Sequence, residues 1–377
     1  MSDRVALLVG LVGLAACAQI DVVAVDDGPA AFCARPGPAV LPDGTCTGRL
    51  AAALFDRALV ACGALALDQP LATDGYDSRL GPYAPGGAGG DVAGAAAFTL
   101  AADARLGGHL TVAGALEAGP TLAIGGDLAV GGRLGRPSST IAVTGAARLG
   151  GDVAVTSLTV DGALTTVPGA TLAGAITAGS RATAAVEVAG PAACLAAAID
   201  VPAIIADLAA ANHDAALGLD PAALADVTGP RTLTLPCGRY YLDRIQGNGA
   251  TIVLSITGKV VLAIAGGITV DAELVVDVAP GAELDLFVAG PVNLPPATRV
   301  GDPARPRATR LYLASTGSIA LGPTPTLAAA VHAPAADVPA GAGDLTGALV
   351  VHGLTTTGAL AVHHDRALTD AAAGCAP

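Results

Sequence analysis

The chain has 377 residues, a net charge of −13 and 53% hydrophobic residues, of which only 2% of the chain are aromatic. Such acidity, with no basic stripe, excludes nucleic acid as a partner, because phosphate contacts require a basic surface. Glycine and proline make up about a fifth of the residues, but a mean hydropathy of +0.62 excludes ordinary polar disorder. The apolar mass is mainly Ala, Val, Leu and Ile, which suits a narrow, regular core.

Residues 5–16, VALLVGLVGLAA, are an apolar run of signal-peptide length behind an n-region in which Asp3 offsets Arg4. The run ends in Leu14-Ala15-Ala16-Cys17, which resembles the bacterial lipobox. It is short for a membrane span of about 20 residues. Residues 1–17 are therefore expected to be a lipoprotein signal peptide, with Cys17 acylated on its sulfur as the first mature residue. Ala18, in place of a retaining aspartate, points to the outer membrane or cell surface.

Residues 18–90 read as a connector with a disulfide-prone loop. The six cysteines beyond Cys17 show no CxxC spacing, which argues against a zinc cluster and for disulfides in an oxidising compartment. Cys33 and Cys46 are spaced to close a short loop, while Cys194 and Cys237 bracket a helical segment; the sequence leaves the connectivity open. GPYAPGGAGG at 81–90 lacks the GK[ST] of a phosphate loop and reads as a linker or as the entry to a first coil.

Residues 91–190 carry a first repeat array. Leucines fall at 110, 116, 122, 128 and 134, and a second apolar residue follows each of the first four two places later, at Val112, Ala118, Ile124 and Val130. Alternation points each pair to one side of a short strand. Small pairs such as Gly125-Gly126 then turn the chain. Three such sides predict a triangular coil in which Leu110 stacks on Leu128, the hexapeptide form of a parallel β-helix.

Residues 191–236 read as a helical insert. Asp200 is placed to cap a helix beginning at Pro202, with Ile204, Ile205 and Leu208 on one face and a stop at Gly218. A second short helix is expected from Asp220-Pro221. Residues 237–370 then form a second strand array, followed by a tail at 371–377. Within it, 251–270 is hydropathic enough to suggest a membrane helix, but Lys259 at its centre, β-branched residues and a period of two indicate strands. At about 18 to 22 residues per coil, the arrays give about 11 to 12 coils and a rod of about 55 Å.

The motifs GLDPAAL, RTLTLPCGRYYL, VAPGAELDLFVAGPVNL, RVGDPARPRATRLYL, AAAVHAPAADV, GALVVHG and GALAVHHDRAL together resemble a β-helical domain family of myxobacterial envelope proteins and lipoproteins. The resemblance spans about residues 60 to 370 and implies a β-helix in the cell envelope, with no catalytic residues to carry over. The six-residue array alone resembles the polymer-forming bactofilins, whose address in the cytoplasm or facing the inner membrane the lipobox and cysteines contradict.

The fold class expected is all-β, a single-stranded parallel β-helix solenoid with a short α-helical insert. Two constellations stand out as metal or carbohydrate candidates. Asp271, Glu273 and Asp277, with Glu283 and Asp285, are the densest acidic group and could serve a glycosidase or hold calcium, or simply solvate the sheet. His332, His352 and His363, with Asp365, would hold a zinc ion if stacked coils brought them together. No nucleophile–histidine pair with usable spacing is present, so neither catalytic residues nor a cofactor are assigned. The function expected is a non-catalytic envelope lipoprotein, structural or adhesive. The membrane is its anchor, and polysaccharide, an envelope protein or a second copy its partner. The alternative is a polysaccharide lyase or hydrolase on the same scaffold.

Overall fold

The computed structural model describes residues 28–195, 199–295, 297–316 and 326–375. Cys17 and the signal segment lie outside these residues. The step of six measures one side of a three-sided coil. In the turn beginning at residue 110, Leu110–Val112 lies on what we term the back face, Leu116–Glu117 on the flank and Thr121–Ile124 on the front. All rungs pair in parallel, with Leu128 on Leu110, Leu134 on Leu116 and Ile141 on Leu122. These leucines are buried in one continuous core running along the axis. Each contributes roughly 1.5 to 3 kcal/mol by leaving water. The result is a parallel β-helix of about 13 turns.

The order of the turns along the rod differs from their order in the chain. The first turn of the N-terminal array consists of β1 (Leu59–Ala61), β2 (Leu65–Leu67) and β3 (Leu71–Tyr76). β1 pairs with Leu349–Val351 and β3 with Leu360–Asp365, so the start of the first array stacks on the end of the second. The rod therefore reads 231 to 365, then 59 to 183. This corrects the reading of 18–90 as a connector: residues 59–76 form a full turn at a seam in mid-rod. It also extends the second array back to Arg231, where its first strand begins.

A chain so ordered must return along the whole rod, about 60 Å at the inter-rung spacing. Residues 184–195 and 199–230 make that return over the back face. Val188 approaches Gly131, Gly190 approaches Ala95 and Cys194 is bonded to Cys62, each one nearer the far end. Helix α3 (Val201–Ala210) follows, capped by Asp200, whose carboxylate accepts from the Ala203 N–H at 3.0 Å. The helical pattern then breaks at Ala211 to His213, and a single turn, α4 (Asp214–Leu217), stops at Gly218 with φ +65°. The expected helix at Asp220 is only a turn.

Two N-terminal helices, α1 (Pro29–Ala34) and α2 (Thr47–Leu54), share the back face with the insert. Beneath them the strands are buried on both sides, as at Lys259–Ile264 and Glu283–Val288. Their outward residues Val261, Ala263, Phe287, Tyr312 and Val350 form a second core with Phe32, Leu54, Phe55, Ile204 and Leu208. This double burial is why the 251–270 stretch is hydropathic enough to mimic a membrane helix. Among the described residues no helix is long and apolar enough to cross a membrane.

Three disulfides fasten the covering segments: Cys33–Cys237, Cys46–Cys375 and Cys62–Cys194. The short Cys33 to Cys46 loop does not form, and Cys194 and Cys237 hold different partners, because each cysteine meets a neighbour across the seam or the back face. Three such bonds indicate folding in an oxidising, exported environment.

Candidate functional site

The sequence candidates are dispersed. Asp271 sits at a corner and accepts from the Gly249 N–H at 2.6 Å, Glu273 pairs with Arg299 at 3.5 Å and Asp277 is exposed. Glu283 and Asp285 both hold Arg310, at 3.0 and 2.6 Å, with Arg310 and Asp285 buried. Alternation keeps Glu273 and Asp277 on one side of their strand and Glu283 and Asp285 on one side of the next, and the corner between the two strands puts the pairs on different faces of the coil.

The histidines do not converge on a metal either. His332 is buried on the back face and its Nε2 donates to the Ala193 carbonyl at 3.2 Å. His352 is exposed and pairs with Asp337 at 2.9 Å. His363 lies on the front face. Asp365 is buried, accepting from the Ser78, Ala367 and Arg307 N–H groups at 3.0, 3.1 and 3.3 Å. Their separations in sequence do not match one turn, so the imidazoles land on different faces. Among the described residues no group of three or more His, Cys, Asp or Glu side chains is placed to hold a metal ion.

His363 nevertheless belongs to a constellation that the seam creates. β3 stacks on the strand Leu360–Asp365 with Asp74 in register with His363. Both project from the front face, and Asp74 Oδ1 lies 2.7 Å from His363 Nδ1. The Tyr83 hydroxyl donates to Asp74 Oδ2 at 2.8 Å, and its ring lies 4.0 Å from the imidazole, tilted by 31°. Burial, then the Asp74 carboxylate, raises the Tyr83 phenol above its ordinary value and keeps it a donor. The other imidazole nitrogen, Nε2, faces Asp344 Oδ1 at 3.8 Å.

The glycine-rich loop builds the wall of this site. Residues 77–91 fold back onto β3, where the Gly75 N–H donates to the Gly87 carbonyl and the Gly86 N–H to Asp74 Oδ2. A Cβ at Gly87 would lie 2.0 Å from the Gly75 carbonyl oxygen, and Gly90, at φ +82°, is pressed against Asp74 in the same way. The loop is glycine-rich because its backbone lies directly on a strand. Under it is a cavity of about 500 Å³, lined by Ala72, Asp74, Tyr83, Arg105 and His363. It adjoins a hollow of about 450 Å³ through Arg105 and one of about 530 Å³ through Tyr83 and His363, and Asp344 lines both of these, so the three form one trough across the seam.

With that geometry in view, one comparison with known families gives a match. Residues 196–371 match the family described as a domain of unknown function, DUF7305. The match begins within the insert, runs through the second array and ends just past the strand Leu360–Asp365 that carries His363. No curated protein and no solved structure matches the chain. The matched region contains His363 and Asp344, while Asp74, Tyr83 and Arg105 come from the first array. Sequence reasoning missed Asp74 and Tyr83 because residues 18–90 read as a connector, although Leu59, Leu65 and Leu71 already keep the step of six, and it missed Arg105 because nothing local marks that residue within the first array.

Proposed function

We propose that the protein is a non-catalytic lipoprotein of the cell envelope, held at the outer membrane or cell surface through acylated Cys17, whose β-helical rod has a structural or adhesive role. The observation that carries this reading is the dispersal of the acidic group: Asp271, Glu273, Glu283 and Asp285 are each engaged locally, at a corner or with an arginine. Carboxylates used that way solvate and brace a sheet, whereas a glycosidase needs two facing one bond. Disulfides that tie both covering segments to the rod suit a module exposed outside the cell. The lipobox supplies the anchor, and the resemblance to myxobacterial envelope proteins agrees with the address.

The test is intact mass and membrane fractionation of the native protein beside Cys17→Ser. A diacylated chain beginning at Cys17 that the substitution releases from the membrane supports the reading. An unmodified chain in the soluble fraction overturns the anchor.

A second reading, a polysaccharide-acting enzyme, is favoured by one observation: Asp74 holds the Nδ1 side of His363, so the Nε2 side is oriented into the trough. Glycan turnover that is lost in His363→Ala would establish it.

A further inference from the structure

We infer that the trough across the seam is a binding site for an acidic sugar chain, a polymer of hexuronate residues, whose carboxylate is received by Arg105 beside the Asp74-held His363. This deepens the adhesive reading by naming the ligand and its place on the rod. Arg105 lies at the centre of the trough, lining both the cavity under the glycine-rich loop and the adjoining hollow. It is exposed and makes no hydrogen bond or ion pair among the described residues. Its planar fork of donors matches a carboxylate.

The neighbouring anion does not compete for that cation. Asp74 is already satisfied by His363 Nδ1, the Tyr83 hydroxyl and the Gly86 N–H. Asp344 Oδ1, in turn, is nearest the other imidazole nitrogen. Asp103 and Asp302 line the adjoining hollows as well, the first accepting from the Thr121 N–H and the second paired with Arg305, so Arg105 is the one guanidinium the trough presents to a ligand. The protein's net charge of −13 weakens long-range attraction, but at physiological ionic strength fields are screened beyond about 8 Å, so the local guanidinium decides contact.

The shape fits a sugar chain. Register places Ala361, Ala72, Arg105 and Ala123 in consecutive rungs on the front face, leaving a flat floor of methyl groups interrupted by one guanidinium. Such a floor admits the C–H face of a pyranose without a side chain in the way, and Tyr83 and the loop backbone form the wall. A volume of about 500 Å³ is that of a ligand pocket. The direction of the rungs lets a polymer pass from the cavity into both adjoining hollows.

The experiment is calorimetric titration of the full-length protein with an oligogalacturonate at low salt, beside a neutral cello-oligosaccharide of similar length. Saturable binding of the uronate that weakens at least tenfold in Arg105→Ala, with the neutral chain binding at least tenfold more weakly, upholds the inference. Arg105 is exposed, so its variant should melt with the wild type. A His363→Ala variant that folds should also weaken binding several-fold. No uronate binding, equal binding of the neutral chain, or an unchanged Arg105→Ala overturns it. Anchoring is read separately by membrane fractionation, so an anchored rod that ignores uronate sinks this inference alone. Shortening of the bound oligomer upholds the site and overturns the non-catalytic reading.

Discussion

Leu59 stacks on Leu349 in register, although the two lie near opposite ends of the chain, and both are fully buried in the axial core. The contact belongs to the seam on which the continuity of the rod depends. Leu59→Ala should therefore destabilise the protein by about 2 to 5 kcal/mol, the usual cost of a cavity at a packed leucine. In a connector the same substitution would cost within about 0.5 kcal/mol. Chemical denaturation of the two proteins decides between them, and a wild-type midpoint in the variant would refute the seam.

The Cys62–Cys194 bond closes a loop of 132 residues and pins the returning segment to the seam. Restricting so long a loop in the unfolded chain is worth about 4 to 5 kcal/mol in the chain-entropy account. The double variant Cys62→Ala, Cys194→Ala should lose stability of that order. Hydrogen exchange should quicken first in the segment around Ala193, whose carbonyl contacts His332. Uniform exchange across the insert and rod would count against this bond as the clasp.

How much of this architecture is legible in the sequence depends on whether the signal is local. Leu110 over Leu128 and the Asp200 cap follow from spacing and from one side chain, and both are observed. The turn at 59–76 carries the same step of six, at Leu59, Leu65 and Leu71, but the loop before Val92 interrupts the count. Which end of one array meets the other has no local signature. It is set by burial between segments far apart in the chain. The Asp74–His363 contact is hidden for that reason, since each residue lies on an otherwise ordinary strand and only the seam makes them neighbours.

Acid should loosen the back face. Burial pushes the His332 imidazole down to about 4, and His364, whose Nε2 donates to the Phe55 carbonyl at 3.0 Å, is lowered for the same reason. A histidine whose folded value lies below its unfolded value near 6.5 binds its proton more readily once unfolded. Its stabilisation is thus complete above about pH 6.5 and is lost as pH falls toward 4. For His332 the full loss is about 3 kcal/mol. Melting curves between pH 7.5 and 4.5 should show a falling Tm, and His332→Asn should flatten the slope.

Asp214 should act in the opposite sense. Burial raises its carboxyl to about 6, against a hydrogen bond from the Tyr241 N–H that favours the anion, and Oδ2 has no partner among the described residues. The folded protein therefore binds this proton more tightly than the unfolded chain, so the group costs stability above about pH 6 and the cost disappears as pH falls below about 4. Asp214→Asn keeps the acceptor for Tyr241 and removes the charge. It should stabilise the protein by about 1 to 3 kcal/mol at pH 7.5 and by little at pH 4, and equal effects at both pH values would show that the charge is not the cause.

The two ends of the rod differ, and the difference governs self-association. At the end that begins with Arg231, Leu224 is buried and Val227 pairs with Gly247, so the insert covers the core. At the other end the strand Leu172–Thr183 pairs, among the described residues, only with Val153–Thr166, and Leu172, Ile176 and Ala178 are half-exposed. An open edge of that length is a template for another chain. Arg181 answers it. It is in register with Leu164, the column that fills the core in the preceding turns, and its guanidinium donates to the Ile176 carbonyl on another side of the coil. A charge at a core position of the last turn must be desolvated before a second coil can stack there, which is how natural sheets protect their edges. Arg181→Leu removes that cost and continues the apolar column to the surface. Because the opposite end is covered, the exposed ends can meet only each other. Sedimentation velocity should show a concentration-dependent dimer in the variant under conditions where the wild type stays monomeric. A wild type that already dimerises, or a variant that forms long polymers, would show that Arg181 is not the guard of this end.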